Sequence, residues 1–199
     1  MAVQYTDVDV MLLNRWDEVT ALQEAFDELL ERMTGVIETA LQRVAGNLKE
    51  RGFRVEWDAR RPSLAFWKPD WENRKKDAGL YAILSDFVPA PYGKNIEEHP
   101  VLWLITEDFA SLRTLENSDS FGRALRLALS PEQRERWNHA EFELSRSPVG
   151  REWADVSERE RVALVADVDK LVGFLSARFD DFMELVPVID VTLGQMTRK

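Results

Sequence analysis

Phe53-Arg54-Val55-Glu56-Trp57-Asp58 is where this chain changes its period. Apolar and charged side chains alternate through it, so an extended strand there has one apolar face and one charged face. Leu64 to Trp67, Leu80 to Phe87 and Val101 to Thr106 follow as short runs rich in aromatic and β-branched residues. The first three runs are joined by short polar links. Consecutive strands with no helix between them predict an antiparallel meander. The expected fold is α+β: a four-stranded antiparallel sheet over 53–107, flanked by long N- and C-terminal helices packed on one face.

Upstream of the switch, residues 8–50 repeat as a helix does. Leu12, Val19, Phe26, Met33 and Ala40 recur at a spacing of seven. Trp16, Leu30, Ile37 and Val44 form a second row, with Gln23 as its polar break, and Leu22, Leu29 and Val36 form a third. A stripe this wide suits packing onto a globular core. Thr6 with Asp9 reads as a cap, Gly35 as a kink or split, and Gly46 and Gly52 as a frayed end. A helix of about 40 residues is roughly 60 Å long, more than a small sheet covers. Part of it is expected to protrude or to fold back at Gly35. A protruding stripe would serve a partner or a homodimer.

Downstream, Ser120 opens a short helix around Phe121–Leu129. Ser130-Pro131-Glu132-Gln133 is a helix start, broken at Pro148-Val149-Gly150. Ser157 with Glu160 is a capping box. It opens a long last helix whose apolar row runs from Val168 to Met196. Pro187 should end or kink it near residue 185. The first and last helices are expected to pack antiparallel. The whole chain, 1–199, reads as one domain: 8–50 helical, 53–107 sheet, 108–199 helical.

Composition narrows the chemistry. The 199 residues include no Cys, which excludes disulfides, a thiol nucleophile and Cys-ligated metal. The two His, His99 and His139, are too few for a His-rich metal site. No cofactor is expected. The N-terminus has no basic segment leading into an apolar run, and no 18-residue apolar stretch occurs. A cytoplasmic protein with no membrane partner is expected.

The net charge is −10, which opposes wholesale binding of nucleic acid. Yet residues 51–76 carry eight basic and four acidic side chains, leaving −14 for the remainder. Phe53, Trp57, Phe66, Trp67 and Trp71 are interleaved with those cations. Arg60, Arg61, Lys68, Trp71, Arg74, Lys75 and Lys76 are therefore candidates for contacting a single strand, with aromatics stacking on bases. The competing reading places the aromatics in the core of the sheet.

Four further patterns carry possible chemistry. The segment 89–100 has three Pro and one Gly around Tyr92, Lys94, Asn95 and His99, a form common in partner-binding loops. Its Gly93-Lys94 lacks the residues that complete a phosphate loop. Arg134-Glu135-Arg136-Trp137-Asn138-His139 resembles the Arg-x4-His pattern of the HEPN ribonucleases. That resemblance implies a His acting on a 2′-hydroxyl and an Arg steadying the phosphate. It covers six residues, and those domains are all-helical. Pro69-Asp70 resembles the opening of the PD-(D/E)XK nuclease motif. The second acid and lysine of that motif are missing, since Glu72 to Lys75 is one residue too long. Finally, Asp167 with Asp169, and Asp180, Asp181 and Glu184, are acidic clusters. Such runs form solvated faces, hold divalent ions or imitate the charge of DNA.

No complete catalytic constellation emerges from these patterns, whereas long apolar and acidic helices are abundant. The expectation is a non-catalytic interaction protein: a regulator, inhibitor or complex subunit using its acidic helices and the 89–100 loop. Another protein is the expected partner, with a homodimer through the long helices also open. The alternative is a nucleic-acid-binding or nuclease-like enzyme using the basic aromatic hairpin 51–76.

Overall fold

The computed structural model describes residues 5–58, 63–72, 79–85, 101–105, 118–136, 144–146 and 156–196. The chain opens with α1 (Asp7–Asn14) and α2 (Trp16–Glu50). Thr6 and Asp9 form the expected capping box: the Asp9 N–H donates to the Thr6 hydroxyl and the Thr6 N–H donates to the Asp9 carboxylate. The helical stretch breaks at Arg15, whose backbone leaves helical geometry at φ −122° and ψ 32°. It does not break at Gly35. Met33 and Ile37, buried on either side, hold that glycine in a continuous helix.

Nor is the end of α2 frayed. Gly52 takes a left-handed φ of 87°, its N–H donates to the Lys49 carbonyl, and the Phe53 N–H donates to the Leu48 carbonyl. This is a Schellman closure, and only glycine enters that conformation freely. It turns the chain back sharply into the first strand.

The strands are β1 (Arg54–Asp58), β2 (Ser63–Trp67), β3 (Tyr81–Ser85), β4 (Val101–Ile105) and β5 (Leu144–Arg146). They pair antiparallel in the order β1-β2-β3-β4-β5. The α+β class and the antiparallel sheet are as the sequence implies, but among the described residues the sheet has five strands, not four. The missed strand is three residues long and follows the Ser130-Pro131 start signal, which the sequence reading extended as helix. Residues 131–136 of that stretch form α4 (Pro131–Arg136). Its cap is the expected one, with Ser130 and Gln133 exchanging hydrogen bonds.

Registration aligns Val55 with Phe66, Trp57 with Leu64, Leu64 with Leu84, and Leu84 with Leu102. Leu64, Phe66, Ala82, Leu84, Leu102 and Leu104 are therefore on one face, and all are fully buried. Helices α3 (Ser118–Ala128), α5 (Glu158–Val165), α6 (Val168–Met183) and α7 (Val186–Met196) complete the described elements. Phe66 is the pivot of the core. Its ring meets Phe53 at 5.6 Å, Phe179 at 5.4 Å and Phe182 at 5.3 Å, each edge to face. From the helices, Ile37, Leu41, Val44 and Leu48 of α2 and Leu171, Leu175 and Phe179 of α6 join the same cluster.

The last helical region is broken twice. Ser157 and Glu160 cap α5 as expected. Asp167 then caps α6 through the N–H groups of Asp169 and Lys170. Pro187 sits near the start of α7, after the chain leaves α6 at Met183. Helices α2 and α6 run parallel, contrary to the antiparallel expectation. Arg43 pairs with Asp169 at 2.5 Å and Arg51 with Asp180 at 2.6 Å, so both chains advance together.

Candidate functional site

Helix α2 divides into two halves of different character. From Met33 onward, one face is buried: Met33, Ile37, Ala40, Leu41, Val44, Ala45 and Leu48. From Tyr5 to Arg32 no residue is buried. Apolar residues nevertheless continue at helical spacing through it. Leu12, Trp16, Leu22, Phe26 and Leu29 are 40%, 60%, 73%, 41% and 44% exposed. This arm is roughly 40 Å long at the helical rise. Isolated scattered apolar residues on a surface are ordinary, but a continuous stripe at helical spacing marks a contact surface.

The arm carries eight acidic and two basic side chains, a net charge of −6. At its base lies an open apolar groove of about 540 Å³. Leu29, Met33 and Val36 of α2 form one wall, and Val162, Val165 and Val168 form the other. The groove and the stripe are continuous, because Leu29 belongs to both. The capping box at the tip holds the Asp9 carboxyl below its ordinary value, through hydrogen bonds from the Thr6 hydroxyl first and the Thr6 backbone second.

The length of the helix left two outcomes open, protrusion or folding back at Gly35, and α2 runs straight through Gly35. The sequence reading did not locate the boundary between body and arm, and it did not anticipate the groove. Periodicity is blind to that boundary, since the same stripe serves both halves. The groove depends on Val162 and Val165, which reach α2 only through the fold.

Of the other candidates, Tyr92, Lys94, Asn95 and His99 lie outside the described residues, as do Arg60, Arg61, Arg74, Lys75 and Lys76. Trp71 is fully buried, and its Nε1 donates to Asp190 Oδ1 at 2.8 Å. Lys68 Nζ donates to Asp190 Oδ2 at 2.5 Å. These two residues fasten the end of β2 to α7. With Phe53 and Phe66 they show the hairpin aromatics serving the core, so they offer bases no stacking face. Asp70 lies in a single 3-10 turn after β2. Arg134 Nε donates to the Leu129 carbonyl and secures the end of α3, while His139 lies outside the described residues.

The acidic clusters are also tied into the fold. Asp167 is a cap, held below its ordinary value chiefly by the Lys170 N–H. Asp169 pairs with Arg43 of α2, Asp180 with Arg51 just past its end, and Asp181 with Arg178 at 3.7 Å. Among the described residues, no group of three or more His, Asp or Glu is placed to hold a metal ion. None of the described helices is long and apolar enough to cross a membrane.

No family model, curated protein or solved structure matches this chain.

Proposed function

We propose that this is a non-catalytic interaction protein, a regulator, inhibitor or complex subunit, which makes its contact through the N-terminal arm and the groove at its base. The observation that carries the reading is the exposure of Trp16, Leu22 and Leu29 on a helix whose later half is core. Helices in water draw most of their stability from packing an amphipathic face. The exposed half of α2 gains that stabilisation when another macromolecule covers it. The acidic back of the arm keeps the free form soluble.

Site-directed photo-crosslinking in the source cells tests the reading. A crosslinker at position 22 of the arm is expected to give one discrete adduct. A control at position 49, exposed on the body half of α2, is expected to give none. Absence of a discrete adduct from position 22 contradicts the reading.

A further inference from the structure

We infer that the groove at the base of the arm takes helix α1 of a second copy of this chain. The inference rests on the reading of the arm as a contact element, and it names both the occupant and its seat.

Helix α1 has no buried residue. Five of its eight residues are apolar, and Val8, Val10, Met11, Leu12 and Leu13 are all exposed. Eight residues are too few for a helix to hold in water by itself, even with the Thr6 and Asp9 capping box. Val8, Met11 and Leu12 are spaced three and four apart, so they share one face. The loss of helical geometry at Arg15 makes α1 a separate element. Its seating therefore sets no register along α2, and no side chain of α2 between Trp16 and Glu28 takes part.

The groove is the matching half. Met33 and Val165 at its floor are buried, while Leu29 and Val162 at its mouth are exposed. From Leu29 to Thr39 it follows α2 for about 15 Å at the helical rise, and α1 is about 12 Å long. Gly35 lines it, and nothing lies within 4 Å of a Cβ placed there, so another helix can approach closely. Charge agrees with this occupant. Among the described residues, Arg32 is the one charged side chain lining the groove. Its contact with Glu28 is a loose 3.5 Å, with both side chains largely exposed. Asp7 and Asp9 are the only charged residues of α1, and they border the face of Val8, Met11 and Leu12.

The chain cannot fill its own groove. Along α2, Arg15 lies about 21 Å from Leu29, whereas α1 extends about 12 Å from that break. A second copy has no such limit. When each chain seats its α1 in the other, two identical contacts close a two-fold dimer. Counted over both contacts, Val8, Met11, Leu12 and the groove walls cover roughly 1,000 Å², the lower end for a specific interface.

Sedimentation of the full chain, combined with disulfide trapping, tests this. At high concentration the wild type is expected at twice the mass of 23.0 kDa. Gly35→Leu plugs the groove without meeting its own chain, and leucine favours a helix more than glycine does. That variant is expected to be at least as stable to heat as wild type and yet monomeric. Gly46→Leu, on the same helix but outside the groove, is expected to stay dimeric. The chain has no Cys, so single thiols can be placed cleanly. A disulfide needs Cα atoms within about 7 Å. A mixture of Met11→Cys and Val162→Cys chains is expected to link on mild oxidation, and neither variant alone is. A monomeric wild type, a dimeric Gly35→Leu, a monomeric Gly46→Leu, or a mixture that links no better than either variant alone would each overturn the proposal. A monomer that still gives an adduct with another macromolecule from position 22 overturns the second copy but keeps the contact arm. A monomer with no adduct removes both.

Discussion

Leu29 and Met33 lie one helical turn apart on the same face of α2, yet Leu29 is 44% exposed and Met33 is 4% exposed. Between them α2 leaves the buried core of the described residues, and Leu22 and Leu29 on the near side stay exposed.

The two halves of α2 should therefore answer truncation differently. Ile37→Ala empties a fully buried site and is expected to cost about 2–5 kcal/mol of unfolding free energy. Leu22→Ala, measured in dilute chain, is expected to cost within about 0.5 kcal/mol. Urea unfolding of both variants checks the contrast.

Asp190 is the one described partner of both Trp71 Nε1 and Lys68 Nζ. Asp190→Ala leaves a buried indole N–H unpaired and is expected to cost about 1–3 kcal/mol. Asp190→Asn keeps an acceptor for Trp71 and should cost less. Trp71 gives the readout besides stability, since its Nε1 proton resonance should shift in Asp190→Ala and move little in Asp190→Asn.

Gly52 closes α2 at a positive φ that an L side chain enters only with strain. No atom lies within 4 Å of a Cβ placed there. The whole effect of Gly52→Ala is therefore conformational, expected at about 1–2 kcal/mol. Gly35→Ala, in the helix interior with equally open space, should instead stabilise by roughly 0.5–1 kcal/mol. Thermal unfolding of the pair separates the two signs.

Acid should loosen the helix starts before it opens the core. Asp9, Glu160 and Asp167 are each held below their ordinary values by hydrogen bonds to Thr6, Ser157 and the Lys170 N–H respectively. A depressed folded value means the stabilisation is present above the ordinary carboxylate range. It is lost as pH falls through each group's own lower value. Amide shifts of Asp9, Glu160 and Lys170, followed by NMR in an acid titration, should move in that window. A midpoint at or above the ordinary value would contradict the capping geometry.

Much of this architecture was legible in the residues. The period change at Phe53 announces the sheet. Thr6 with Asp9, Ser130 with Gln133 and Ser157 with Glu160 announce three helix starts, because capping is a local contact three residues long. Pro187 announces the gap before α7. What escaped is what depends on partners far along the chain. Leu144-Ser145-Arg146 is too short to show a period, and becomes a strand by pairing with β4. The parallel course of α6 and α2 likewise shows only in contacts between distant residues, Arg43 with Asp169 and Arg51 with Asp180. Trp71 and Lys68 read as a basic aromatic surface until Asp190, more than a hundred residues later, claims both. The arm was visible as a surplus of helix, but its boundary at Met33 is a property of the packed body.

The most direct measurement is amide hydrogen exchange along α2 in a dilution series. At high dilution, residues 16–32 should exchange orders of magnitude faster than 37–48. Equal protection of both halves at every dilution would mean the arm is packed on its own body. That result would contradict the account.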